Sequence, residues 1–169
     1  MRMHNLQLSK ENHDWINGWM ELFGAWVYSG RLEKKMTSMI AQWMESAEPS
    51  RVCSRPMCND DDGMLISGVV DSVMSIDSRA LGILISYYAH GSSKRAIAEY
   101  YHRTSAPRRM DKGRGGQGWR KPSAETCRKE VSHILNASLY MLHQPLRDAF
   151  DNRKVVKKVK HVSNQVLTT

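Results

Sequence analysis

Three consecutive aspartates, Asp60, Asp61 and Asp62, are the densest group of metal-binding side chains in the sequence, and the chemistry they first suggest is metal-assisted phosphodiester cleavage. Successive side chains on a helix point roughly 100° apart, so these three cannot converge on one ion unless Asp71 or Asp77 joins them. A helix start explains them better, because carboxylates there satisfy orphan amides and complement the macrodipole. Cys53 and Cys58, with Cys127 and either His133 or His102, could close a tetrahedral zinc site, but the second close pair usual in structural zinc is missing. The glycines at 113, 115, 116 and 118 follow no strand and lead to no Gly-Lys-Ser/Thr ending, which argues against a nucleotide phosphate loop. No Ser-His-Asp or Cys-His arrangement has a signature. The residues therefore point to a protein that is not an enzyme, with no catalytic group, no assigned metal and no cofactor.

The side chains that could act on a partner are cations. Formal net charge is +8 over 169 residues, with an isoelectric point near 9.6. It is concentrated: residues 103–122 hold seven Lys or Arg against one Asp, and residues 151–169 hold five against one. Clustered positive charge is the footprint expected of a phosphate-binding surface. No uninterrupted apolar run marks a signal peptide or membrane span, so the expectation is a protein of the cytoplasm that contacts no membrane. Three cysteines without secretory context read as reduced thiols.

The elements that must position these cations are helical throughout, and the fold class read from the pattern is all-α. Trp15, Trp19, Leu22, Phe23, Trp26 and Val27 recur at helical spacing, with Asp14 placed to cap and Gly30 to stop. Leu32, Met36, Met39, Ile40, Trp43 and Met44 form a second stripe, making residues 1–46 a helical hairpin whose tryptophans serve as core or partner-facing surface. Residues 47–59, with Pro49 and Pro56, are a connector. The body, residues 60–150, opens with a helix burying Leu65, Ile66, Val69, Val70 and Val73, then one over roughly 78–90 carrying Leu81, Leu84, Ile85 and Tyr88 and ending at His90-Gly91. Ser92 or Ser93 caps a short helix, residues 103–122 have no apolar period and read as a loop, and Ser123 opens a long helix closed by Pro145. Residues 151–169 are a basic tail, with frayed last turns.

The pair of helices over 92–102 and 123–143 has the order of a helix-turn-helix, split by the insert at 103–122. In the supporting helix Ala96, Ile97 and Tyr100 turn inward, leaving Lys94 and Arg95 for phosphates. In the reader, Cys127 and Val131 are buried and Ser123, Glu125, Thr126, Arg128, Lys129, Ser132 and His133 are presented to base edges, where Arg and Lys pair with guanine and Glu with cytosine. Two ordinary packed helices would give the same pattern. The insert offers Arg108, Arg109, Lys112, Arg114, Trp119, Arg120 and Lys121, either as a solvated loop or as a segment that orders on phosphate, with Trp119 stacking on a base or entering a protein pocket. The progression Leu81, Leu84, Tyr88, Gly91, Ile97, Ala98, then Ser123 onward resembles the fourth region of bacterial sigma factors once the insert is removed.

The run Ser54-Arg55-Pro56-Met57-Cys58-Asn59-Asp60-Asp61-Asp62-Gly63-Met64-Leu65-Ile66 is similar to the Ser-Arg-Pro-x-Cys-x-Asp-Asp-Asp-x-Met-x-Ile signature of the lambdoid-phage antitermination protein Q family, phage-21 type. Leu22-Phe23-Gly24-Ala25-Trp26-Val27 looks like that family's Trp-Gly-x-Trp-Val stretch. The likeness runs from about residue 15 to 143; the basic insert and tail stand outside it. It implies a late-gene regulator that binds double-stranded DNA beside a phage promoter, loads onto paused host RNA polymerase holoenzyme, and travels with the elongation complex. It further implies action at the RNA exit channel, with nascent RNA and a second copy of the chain as further partners. An ordinary promoter-binding regulator that never travels with polymerase is the rival.

Overall fold

The computed structural model describes residues 7–29, 55–109 and 118–166, with side chains given to residue 156. The expected second helix over Leu32–Met44, its neighbour Gly30, and Cys53, Lys112 and Arg114 lie outside the described residues. Five helices and a short ribbon make up the rest: α1 (Lys10–Tyr28), α2 (Asp60–Met74), α3 (Ser78–Tyr88), α4 (Lys94–Thr104), β1 (Arg108–Arg109), β2 (Trp119–Arg120) and α5 (Ala124–Val166). The fold is helical, as the pattern predicts.

Local chemistry sets most of the helix starts. Asn59, Asp77, Ser93 and Ser123 each accept a hydrogen bond from the amide three residues on, in Asp62, Ala80, Ala96 and Thr126. Helix α1 begins earlier than expected. Ser9 caps it through the Asn12 amide at 3.3 Å, and Asp14 lies inside the helix, because an upstream serine with Glu11 in the first turn is already a complete start signal. Gly91, at φ +66°, supplies the left-handed residue that separates α3 from α4.

The core forms around α5, which packs on all four other described helices. Ile16, Met20, Phe23 and Val27 of α1, Ile66, Val70 and Met74 of α2, and Cys127, Val131, Leu135, Leu139 and Leu142 of α5 are buried stripes at helical spacing. Residues 80–85 of α3 are buried on every side, as expected of a central helix. Trp26 is buried, and Trp15 and Trp19 pack against the core. In α4 the inward residues are Ile97, Ala98 and half-buried Tyr101; Ala96 and Tyr100 face solvent, which corrects the expected stripe by one residue.

Two further expectations change. Residues 103–122 are not wholly loop: Arg108 pairs with Arg120 and Arg109 with Trp119 in an antiparallel ribbon. Pro145 does not close α5, which continues to Val166. Past the proline, Leu146 and Phe150 are buried, and Phe150 meets Trp19 at 4.5 Å between ring centroids, so burial holds the helix together across its missing amide. The burial ends there, for Val155 and Val156 are exposed.

The Arg55–Gly63 block ties the helices to one another. Arg55 donates to the carbonyls of Tyr88 at 3.2 Å and Ala89 at 2.6 Å, closing the end of α3. Trp26 Nε1 donates to Asp60 Oδ1 at 2.9 Å, and Asp62 accepts from Asn59 Nδ2 at 2.8 Å and pairs with Arg153 of α5 at 2.5 Å. The aspartates thus lie in the first turn, as expected, but Asn59 supplies the cap, while Asp60 and Asp62 join α1 and α5 to the helix.

Candidate nucleic-acid interface

Among the described residues no three His, Cys, Asp or Glu side chains come together as a metal site. Cys58 and Cys127 are buried. Burial, then the charge of Asp62, pushes the Cys58 thiol up to about 11, so it stays protonated at neutral pH. A cleft of about 810 Å³ between α1 and the α3–α4 junction is lined by Trp15, Trp19, Leu22, Arg55 and Tyr87 among others. Its described charged side chains are Glu21 and Arg55, and Arg55 is engaged by carbonyls, so it offers no acid–base pair.

The cationic surface is built at the meeting of α4, the ribbon and α5. Helix α4 ends where α5 begins: His102 Nδ1 lies 2.9 Å from the Pro122 carbonyl oxygen, and Lys121 Nζ donates to the Arg103 carbonyl at 3.1 Å. On α5, Cys127 and Val131 are fully buried, and the 100° step puts Glu125, Lys129, Ser132 and His133 on the far side of the helix from them. Arg128 is exposed on the flank. Glu125 lies 3.5 Å from Arg128 and 3.7 Å from Lys129, in pairs exposed enough to be exchanged readily for other partners. Ser123 and Thr126 are less free, since their hydroxyls bond each other at 2.9 Å within the cap.

Lys94 and Arg95 are exposed at the opposite end of α4, about 15 Å along its axis from the corner at the helical rise. Lys94 Nζ also lies over the Tyr87 ring at 5.7 Å. The ribbon carries exposed Arg109 and Trp119 as a cross-strand pair on one face, with Trp119 76% exposed. Arg120 and Lys121 are exposed beside them. Arg108 is different, because its guanidinium pairs with Glu130 of α5.

Glu130 is the residue that periodicity alone passes over. Its second oxygen accepts from Arg79 of α3 at 3.2 Å, and Arg79 lies over the Tyr101 ring of α4 at 4.8 Å. One carboxylate thus joins α3, α5 and the ribbon, while Arg79 carries the contact on to α4. Burial, opposed by the nearby Arg79 charge, raises the Tyr101 phenol above its ordinary range, so the ring is a neutral support. The available signal was an acidic residue beside a buried stripe, next to a segment dominated by arginine.

The model of the phage antitermination protein Q family matches residues 13–129. The probable antitermination protein Q of Acyrthosiphon pisum secondary endosymbiont phage 1 is 33% identical over 95 residues, 56% of this chain and 59% of that protein. Antitermination protein Q of Escherichia phage 933W is 33% identical over 79 residues, 47% of this chain and 54% of that protein. The chain thus spans between half and three fifths of these relatives' length. The solved structure of transcription antitermination factor Q21 in complex with Q21-binding-element DNA has a TM-score of 0.84 at 67% identity, covering 89% of this chain and 99% of that one. With the family model matched across most of its length and its signature block folded into the junction of α1, α2, α3 and α5, this chain belongs to the phage antitermination protein Q family.

Proposed function

We propose that this chain is a phage late-gene antitermination factor that binds a duplex DNA element near the late promoter and passes onto paused host RNA polymerase, where it suppresses pausing and termination at the RNA exit channel. The observation that carries the reading is the likeness to Q21, solved on its own DNA element, over 89% of the chain. In this reading α4 and the start of α5 form a helix-turn-helix. Glu125, Arg128, Lys129, Ser132 and His133 face the bases, and Lys94 and Arg95 meet the backbone from the far end of α4. The exposed ribbon follows the phosphates, and Trp119 supplies a ring for stacking. The half-buried Trp15 and Trp19 of α1 belong to the face offered to polymerase or to a second copy. No catalytic step is assigned to any residue. Among the described residues no helix is long and apolar enough to cross a membrane, in keeping with action on host transcription in the cytoplasm.

The test is terminator read-through with purified bacterial polymerase, on a template whose promoter carries the duplex that the chain selects from a random pool. Read-through should rise only when that duplex is present in cis. Binding to the duplex with no gain in read-through would instead make the chain an ordinary promoter regulator.

A further inference from the structure

The clamp at Glu130 has a consequence for discrimination between DNA sequences. Two guanidiniums converge on one carboxylate, Arg108 on one oxygen and Arg79 on the other. The group is near the surface: the side chains are 28% exposed for Glu130, 38% for Arg79 and 39% for Arg108. It also lies at the foot of a cationic ribbon and next to Lys129 on the exposed face of α5. A phosphate diester offers arginine the same paired oxygens that Glu130 does. Without the carboxylate, two neighbouring like charges would lose their shared counter-charge, and the backbone of any duplex in reach would be the best replacement. Backbone pairing of that kind raises affinity without reading sequence.

Building on the DNA-binding reading above, we infer that Glu130 is a specificity-determining residue, an internal phosphate mimic that keeps Arg79 and Arg108 from sequence-independent pairing with the DNA backbone. Discrimination then rests on Arg128, Lys129 and their neighbours. A purely anchoring Glu130 makes the opposite forecast. Loss of an anchor misplaces the ribbon and weakens binding to every duplex, whereas loss of a competitor strengthens binding to random duplex above all.

The two are separated by measuring the affinity of the full chain for a random-sequence duplex, and for the duplex it selects from a random pool, between 50 and 200 mM salt. Glu130→Gln should bind the random duplex more tightly than the parent. Its advantage should grow about 3.5-fold on going from the high to the low salt for each additional phosphate neutralised, from a slope of about 0.9 per phosphate. The ratio of selected to random affinity should fall, and adding Arg108→Gln should reverse the part due to Arg108. Equal weakening on both duplexes with an unchanged salt slope would overturn the inference and leave Glu130 an anchor. Arg108→Gln alone gives a second reading that needs no change at Glu130. On random duplex it should leave the salt slope unaltered, and a slope shallower by about 0.9 would mean that Arg108 already sits on phosphate. A parent chain with no salt-dependent affinity for any duplex would overturn the DNA reading itself, whereas the variants in a binding parent bear on Glu130 alone.

Discussion

Gly63 sits in the first turns of α2 directly beneath Trp26, and a Cβ added there would come within 2.4 Å of the indole ring. Helix propensity favours alanine over glycine by about 1 kcal/mol. Overpacking a fixed ring costs about 1–3 kcal/mol, and displacing the indole would also strain its bond to Asp60, a charge-assisted contact contributing about 1.5–3 kcal/mol. The steric effect wins. Gly63→Ala should therefore lower stability by about 1–3 kcal/mol, while Gly68→Ala, where a Cβ has nothing within 4 Å, should raise it by up to about 1 kcal/mol. Thermal unfolding of the two variants beside the parent decides it. Equal gains would show that Trp26 has room to move. The same pair marks the limit of sequence reading at this scale. The aspartates were legible as a helix start, since capping depends on neighbours in the chain, but nothing in the spacing links Asp60 to an indole 34 residues earlier.

At the scale of elements, the helix beginnings and buried stripes of α2, α3 and α5 were legible for the same reason: they are set by residues within one or two turns. What escaped was decided by distant contacts. The ribbon has two residues in each strand, too few for alternation to show, and its Arg108 is tied to Glu130 across 22 residues. Arg55 closes α3 from 33 residues away. Pro145 does not stop α5, because a sound local rule is outweighed. A proline inside a helix costs about 3 kcal/mol relative to alanine, but full burial of Leu146 and Phe150 beyond it contributes about 1.5–3 kcal/mol each. The seam with α1 carries the helix through. Pro145→Ala should then raise stability, by up to about 3 kcal/mol, with little change in helical circular dichroism. A loss of stability would mean that the half-buried proline ring is itself part of the packing.

For the molecule as a whole, α5 is the spine that makes interface and body one cooperative unit. Arg128, on the exposed flank, and Arg147, on the seam with α1, are about 30 Å apart along its axis. At that seam His143 is buried, edge-on to Trp15 at 5.6 Å, and accepts a hydrogen bond at Nε2 from Arg147 Nε at 3.1 Å. Arg147 also donates to Asn12 of α1 at 3.1 Å and lies over the Trp15 ring at 4.7 Å. The arrangement requires a neutral imidazole. Burial first, and the Arg147 charge second, hold the His143 pKa below its ordinary 6.5. Below that pH the unfolded chain binds a proton that the folded chain resists, so the contribution of His143 is complete above pH 6.5 and is lost as the pH falls through and beneath it. Because α5 packs on every other described helix, the loss should appear in global unfolding rather than as local fraying. Denaturant unfolding of the parent and of His143→Gln at pH 7.5 and pH 5.5 gives the comparison. The substituted chain, lacking the titrating ring, should be less stable at the higher pH and lose less on acidification. Parallel losses in the two proteins would mean that the acid sensitivity arises elsewhere, and that His143 accommodates its proton within the fold.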